Sequence, residues 1–232
     1  MTFHVKHDLP VCEATPDVVG QDDEFHPGDD LLWDIFGDRY QLAVQYHEML
    51  ATRGVEWGLL GPRETNRLWC RHILNSVSIR NLLEPNESIV DVGSGAGLPG
   101  IPLALARPDL RVTLVDSLLR RTQFLESAIA DLGIGDRVSV VRARAEEIDQ
   151  TYDVVVARAV APLTKLVPWC VGLMRMKLLA LKGSNAEHEI EDATPMLRKL
   201  GLVATLKHCD TVPLCPVAVV VEVSRGSKSS TS

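Results

Sequence analysis

Ile89-Val90-Asp91-Val92-Gly93-Ser94-Gly95-Ala96-Gly97-Leu98-Pro99-Gly100 is the stretch on which the fold is decided. Ser88–Val92 is a short aliphatic run of strand character, and Ile101–Ala106 begins a helical one. Between them stand four glycines in eight residues, more than a tight turn requires. Glycines there let the backbone take conformations that other residues avoid and approach a ligand closely. Pro99 suits a first helical turn, where its missing N–H costs nothing. Strand, glycine loop and helix in that order open a βαβ unit, at the position where an open α/β sheet binds its ligand.

The alternation continues downstream. Val112–Val115, Val138–Val141, Val154–Ala157 and Leu178–Leu181 read as strands. Helices are expected over Leu118–Leu132, ending at Gly133, around Leu163–Met174, and near Glu187–Leu200. Two last apolar segments, Leu202–Leu206 and Val217–Val223, are joined by a short Pro-containing link, which suits an antiparallel pair at a sheet edge. The fold class is therefore α/β: a doubly wound, mostly parallel sheet with an antiparallel C-terminal edge. Upstream, Leu31–Arg53 is helical in pattern, with Leu32, Phe36, Tyr40, Val44 and Leu50 near one face. A second helical stretch runs from Arg63 to Leu83 and ends at Glu84-Pro85-Asn86. The organisation read from this is an acidic tail expected to be disordered (1–30), a helical extension (31–84), the sheet domain (85–223) and a Ser-rich disordered tail (224–232).

The 232 residues carry a net charge of −7, which argues against a pervasively basic nucleic-acid-binding surface. The acidity is local, however: residues 1–62 hold 12 acids and 3 bases, and residues 63–232 hold 19 acids and 21 bases. The longest apolar run, Val217–Val221, is far too short for a membrane span, and without a positively charged start leading into an apolar stretch a secretory signal is not expected. The five cysteines are odd in number and include no C-x-x-C pair, so a reduced, cytoplasmic protein without zinc or a disulfide framework is expected.

Two readings of the glycine loop compete. Gly95-x-Gly97-x-x-Gly100 satisfies the dinucleotide fingerprint, whereas Asp91 with Gly93-x-Gly95-x-Gly97 resembles the S-adenosylmethionine loop of class I methyltransferases. The register favours the second, because Gly93 follows the strand directly and the Asp91 carboxylate suits a cation better than a pyrophosphate. Asp116, closing the second strand, could accept both ribose hydroxyls of either cofactor, or could cap the helix after Ser117. Arg142-Ala143-Arg144-Ala145-Glu146-Glu147 follows the third strand, where an adenine would pass; Glu147 reads better as a helix-start acid. The fourth strand runs into Arg158-Ala159-Val160-Ala161-Pro162, with neither the Asn/Asp-Pro-Pro-aromatic pattern of amine methylation nor a nucleophilic Cys. Arg158 could pair a carboxylate or phosphate there, or bridge to Asp153.

Together Asp91–Pro102 (DVGSGAGLPGIP), Asp116-Ser117 with Arg120-Arg121 and Phe124-Leu125, Arg158-Ala159 and Ala180-Leu181-Lys182-Gly183 resemble the bacterial small-subunit ribosomal RNA methyltransferase G family, also called glucose-inhibited division protein B. Arg71-His72-Ile73-Leu74-Asn75-Ser76 is similar to that family's motif before the sheet, with Asn75 where Asp is commoner. The resemblance covers about residues 40–223 and implies methyl transfer from S-adenosylmethionine to N7 of one guanine in 16S ribosomal RNA. By motif position it implies cofactor contacts at Gly93, Leu98, Ala145, Glu146 and Arg158, beside Asp91, Gly95, Gly97 and Asp116 read from the loop. Guanine N7 carries an in-plane lone pair and no proton, so no general base is demanded and no single catalytic residue stands out.

The expected partner is small-subunit RNA or a partly assembled subunit, with no membrane, no metal and a single copy at work. Arg63, Arg67 and Arg71 recur every four residues, as a cationic helical stripe would, and Arg120, Arg121 and Lys182 follow strand ends and could flank the same cleft. The alternative is solvated faces paired to Glu64 and Glu126, with His72 a satisfied structural histidine. Other readings that stay open are a small-molecule methyltransferase, an NAD-binding oxidoreductase and a nucleoside-binding protein without catalysis.

Overall fold

A computed structural model describes residues 25–212 and 215–226; most of the acidic stretch and of the Ser-rich tail read from the sequence lies outside the described residues. The strands are β1 Ser88–Val92, β2 Arg111–Asp116, β3 Val138–Arg142, β4 Tyr152–Arg158, β5 Met174–Lys182, β6 Leu202–Cys209 and β7 Ala218–Arg225. They form one seven-stranded sheet in the order β3-β2-β1-β4-β5-β7-β6. β7 inserts between β5 and β6 and pairs antiparallel with both, while the other pairings are parallel. The sequence-based fold class therefore holds. β5 is longer at its start than its apolar core suggested, so the helix expected to reach Met174 ends at Cys170. At the other end β7 continues through Ser224 and Arg225, which the sequence had assigned to the tail.

Alternation along each strand divides the core. Ile89 and Leu114 face one layer with Val154 and Val156, whereas Val90, Val92 and Val155 face the other. The second layer is closed by α6 (Leu163–Cys170) and α7 (Ala186–Lys199). The first is closed by α4 (Gly100–Ala106), α5 (Leu119–Leu132) and the helices that precede the sheet. These are α1 (Asp29–Phe36), α2 (Tyr40–Met49) and a helical stretch α3 over residues 62–82. The first two are separated at Gly37, whose φ of +54° a side chain would resist, so the single helix read over residues 31–53 is broken there. Leu32, Phe36, Tyr46 and Leu50 are buried in the same cluster as the sheet residues, and Arg53 reaches Asp131 of α5 at 2.6 Å. The helical prefix thus builds one side of the sheet domain's core.

α3 is wound unevenly: 3₁₀ over Pro62–Arg67, π over Leu68–Leu74, then back through Asn75–Val77 to 3₁₀ over Ser78–Leu82. Neither winding has the 3.6-residue period, so residues four apart drift around the axis. Arg63, Arg67 and Arg71, all exposed, therefore sit on a stretch that does not keep the 3.6-residue spacing assumed for them.

Cys70 and Cys215 are joined as a disulfide, contrary to the expectation of thiols only. A separation of 145 positions conceals the pairing in the sequence; the fold brings α3 beside the run into β7. Cys170 and Cys209 have no disulfide partner among the described residues. No helix among the described residues is long and apolar enough to cross a membrane.

Candidate active site

The strand order reverses beside β1: the chain moves outward through β2 and β3, then returns to place β4 on the other side. The crevice at the C-terminal ends of β1 and β4 is where such sheets hold ligands. Gly93 and Arg158-Ala159 lie there.

The loop of residues 93–99 is held from four directions. The N–H groups of Gly93 and Ser94 donate to Val115 O at 2.9 and 3.0 Å, and Ser94 Oγ accepts from Val115 N at 3.0 Å while donating to Asp91 O at 2.8 Å. Tyr46 OH donates to Ala96 O at 2.7 Å, and Gly95 N donates to Asp116 Oδ2 at 3.1 Å. Gly93, Gly95 and Gly97 have φ of +72°, +58° and +97°. A Cβ on Gly93 would meet Val160 Cγ2 at 2.7 Å, and one on Gly100 would meet Leu114 Cδ2 at 2.3 Å. Position 100 therefore needs its glycine because α4 lies directly on β2.

Asp91 shares its face of β1 with Ile89 and so points under α4 rather than into the crevice. It is fully buried, and its Oδ2 accepts the Gly100 N–H at 2.9 Å. Its Oδ1 has no hydrogen-bond partner among the described residues. Burial pushes the carboxyl up to about 7, against the opposing pull of the Gly100 bond and the Arg158 charge. A carboxyl raised in the folded state stabilises it fully below the unfolded value near 3.8, and that contribution is lost as pH rises through about 7. Asp91→Asn keeps an acceptor for Gly100 and cannot titrate. Urea unfolding at pH 5, 6, 7 and 8 should show wild-type stability declining relative to the variant as pH rises; parallel curves would contradict the placement.

Next to the loop lies a cavity of about 340 Å³ walled by Val115, Val160 and Trp169 and bordered by Gly93, Asp116, Ala145 and Glu146. Four sequence-predicted cofactor residues thus meet in one space. Asp91, Gly95, Gly97 and Leu98 instead shape the loop beneath it. Asp116 Oδ1 accepts from Leu118 N at 3.0 Å, just before α5, while Oδ2 takes Gly95 N and Arg121 Nη1, each at 3.1 Å. Glu147 Oε2 accepts Arg144 N at 2.9 Å, the helix-start role read for it. Val160 and Trp169 escaped the sequence reading. Trp169 is a half-buried residue of an amphipathic helix, and only the chain's path shows that it faces the cavity.

A wider cleft of about 700 Å³ adjoins the cavity across Val160 and includes Arg71, His72, Asn75, Arg158 and Lys182 in its walls. The six arginines and lysines read as RNA contacts separate here. Arg71 and Lys182 reach the cleft, whereas Arg63 and Arg67 are exposed and outside its lining. Arg121 belongs to the smaller cavity, and Arg120 lies against Gly58. Lys182 is committed internally, its Nζ donating at 2.7 Å to both Ala161 O and Glu189 Oε2. Arg158 does not bridge to Asp153, which pairs with Arg175; it donates through Nη1 to Arg71 O at 2.7 Å and through Nη2 to His72 Nδ1. Ala159 follows with φ +54°, an uncommon conformation for a side chain-bearing residue, at the floor of the cleft.

Comparison with known proteins agrees with this architecture. Residues 39–212 match the family model described as rRNA small subunit methyltransferase G. A ribosomal RNA small subunit methyltransferase G from Mycolicibacterium smegmatis is 49% identical over 199 residues, covering 82% of this chain and 84% of the relative. One from Streptomyces coelicolor is 48% identical over 209 residues, covering 88% and 87%. Among solved structures, the magnesium protoporphyrin IX methyltransferase from Synechocystis PCC 6803 superposes with a TM-score of 0.55 at 14% identity, over 80% of this chain and 97% of that one. The ribosomal protein L11 methylase from Lactobacillus delbrueckii subsp. bulgaricus gives 0.52 at 16% identity, over 72% and 80%. At such identities these two speak for the fold alone. The match over most of the chain and the near-half identity to its members place this chain in the rRNA small subunit methyltransferase G family.

Proposed function

We propose that the chain transfers the methyl group of S-adenosylmethionine to N7 of a guanine in 16S ribosomal RNA, acting in the cytoplasm as a single copy. The observation that carries the reading is the junction at Val160: a nucleoside-sized cavity beside the glycine loop shares that residue with a larger cleft lined by arginines.

The residues present fit the cofactor. A Cβ on Gly93 would crowd the cavity's edge, the walls are apolar where an adenine would lie, and the Asp116 and Glu146 carboxylates are acceptors for hydroxyl and amine hydrogens. Gly93, Asp116, Ala145 and Glu146 would hold the nucleoside, with Gly95, Gly97 and Leu98 setting the loop. Bound S-adenosylmethionine supplies an electrophilic methyl group on a positively charged sulfur. Guanine N7 has no proton to lose, so the chain's own task is alignment, exclusion of water and charge balance. Arg71, exposed, and Arg158, half-buried, offer guanidinium donors to oxyanions in the cleft. With so few free cations there, recognition of a folded RNA or a partly assembled subunit fits better than binding by net charge.

Asp116→Ala is expected to weaken cofactor binding by about 2 kcal/mol, roughly thirtyfold, through loss of charge-assisted bonds. Calorimetry on the folded variant checks this, and unchanged affinity would remove Asp116 from the site. The functional reading is tested by comparing methyl transfer to 16S RNA and to small-subunit particles over a salt series. A loss with salt is expected, with a slope set by the few phosphates that the cleft's arginines can neutralise. Transfer to a small molecule and to neither RNA form would replace the reading with that of a small-molecule methyltransferase.

A further inference from the structure

We propose that His72 is a positioning residue for the methyl-transfer site, fixed as a neutral imidazole between Glu64 and Arg158 so that the Arg158 guanidinium presents its remaining donors to an oxyanion in the cleft. The inference rests on the functional reading above for what the oxyanion belongs to. The relay itself rests on geometry.

A guanidinium has donors only, so the contact from Arg158 Nη2 makes His72 Nδ1 an acceptor. The imidazole hydrogen therefore sits on Nε2, which donates to Glu64 Oε2 at 2.8 Å. His72 is 9% exposed, and both of its nitrogens are used. Arg158 spends one hydrogen on His72 and one on Arg71 O, leaving Nε–H and one hydrogen on each Nη of its five. Those three lie on a residue that lines the 700 Å³ cleft next to the cofactor cavity. Two contacts from opposite ends of the fork hold the plane, and the strand end at Arg158 fixes its base. The oxyanion is a carboxylate, as on the amino-acid end of the cofactor, or a phosphate of the RNA; both present the same acceptor oxygens.

The charged surroundings make the arrangement dependent on pH. Glu64 faces His72 from the start of α3, Arg71 stands beside it, and Arg158 faces it from β4; Arg67 lies near Glu64, and Tyr46 and Asp91 lie near Arg158. Burial first, then the Arg158 charge, hold the His72 imidazole below its usual range, while the His72 bond holds Glu64 ionised. A second proton on the ring would occupy Nδ1, remove the acceptor and set two cations face to face. Acid should then free Arg158.

Three variants separate positioning from packing. Asn at 72 sets an amide oxygen close to the place of Nδ1, Gln sets a donor close to the place of Nε2, and Leu supplies neither. His72→Leu and His72→Gln are expected to lose about 100-fold in kcat/KM, the cost of a misplaced group, whereas His72→Asn should recover at least tenfold of that. The acid limb of the wild-type pH profile should vanish in His72→Asn, while any limb from Asp91 persists. A rise confined to the cofactor KM identifies the carboxylate, and one confined to the RNA KM identifies the phosphate. Nitrogen NMR of the imidazole in the full chain at pH 7.5 reads the relay without any methyl transfer. A bare Nδ1 and a protonated Nε2 are expected there even if the RNA reading fails. A ring hydrogen on Nδ1, wild-type kinetics in His72→Leu, or equal losses in Asn and Leu variants of equal stability would overturn the proposal.

Discussion

Gly93→Ala is expected to bind S-adenosylmethionine about 100-fold more weakly than the wild type, a large loss from the smallest possible side chain. Two costs add at this position. A φ of +72° is left-handed backbone, which costs an alanine roughly 1–2 kcal/mol. The added methyl would stand 2.7 and 3.2 Å from the two Cγ atoms of Val160, and overpacking of that kind costs about 1–3 kcal/mol. Because Gly93 and Val160 both border the cavity proposed for the cofactor, relief of either strain moves the cavity's wall. About 3 kcal/mol corresponds to two orders of magnitude in affinity. Gly95→Ala is the internal control. Its φ of +58° brings the conformational cost, yet its Cβ would meet nothing closer than Gly93 O at 3.9 Å. Less than a tenfold loss is expected there. Equal effects at the two positions, measured by calorimetry, would show that the Val160 contact is irrelevant.

Loss of the Cys70–Cys215 bridge should produce the largest change in stability. A closed loop of 145 residues restricts the denatured chain severely, and the chain-entropy account puts such a loop near 5 kcal/mol, although measured bridges more often give about 2–4. The bridge ties α3, which carries Arg71 and His72, to the segment entering β7. Reductant should therefore lower the urea midpoint of the wild type. Cys215→Ser should lower it similarly and make it insensitive to reductant. Neither sulfur borders the cofactor cavity, so cofactor affinity should survive. A wild-type midpoint that ignores reductant would mean that the thiols remain apart in solution.

The sheet was legible because its strands are local and one-sided in composition: aliphatic runs such as Val154–Val156 cannot be buried from both faces in any other way. The glycine loop was legible for the same reason, since φ and close approach are local demands. What remained hidden depended on residues far apart. Asp91 looked like a ligand for a cation until strand alternation set it under α4, bonded to Gly100. Lys182 looked free until the return of α7 brought Glu189 to it. The arginine spacing in α3 assumed a 3.6-residue turn, and the observed winding departs from it in both directions. The relay through His72 joins residues 8 and 86 positions apart; the motifs holding His72 and Arg158 were visible, but nothing in the sequence showed that they touch.

The central claim is that the cavity and the cleft together methylate one guanine at N7. Small-subunit RNA from cells lacking this chain, incubated with the protein and methyl-labelled S-adenosylmethionine, should yield label in 7-methylguanosine at a single position after digestion. The label should be absent with Gly93→Ala at limiting cofactor. Label in another nucleoside, label spread over many positions, or none in RNA or in small-subunit particles would contradict the account.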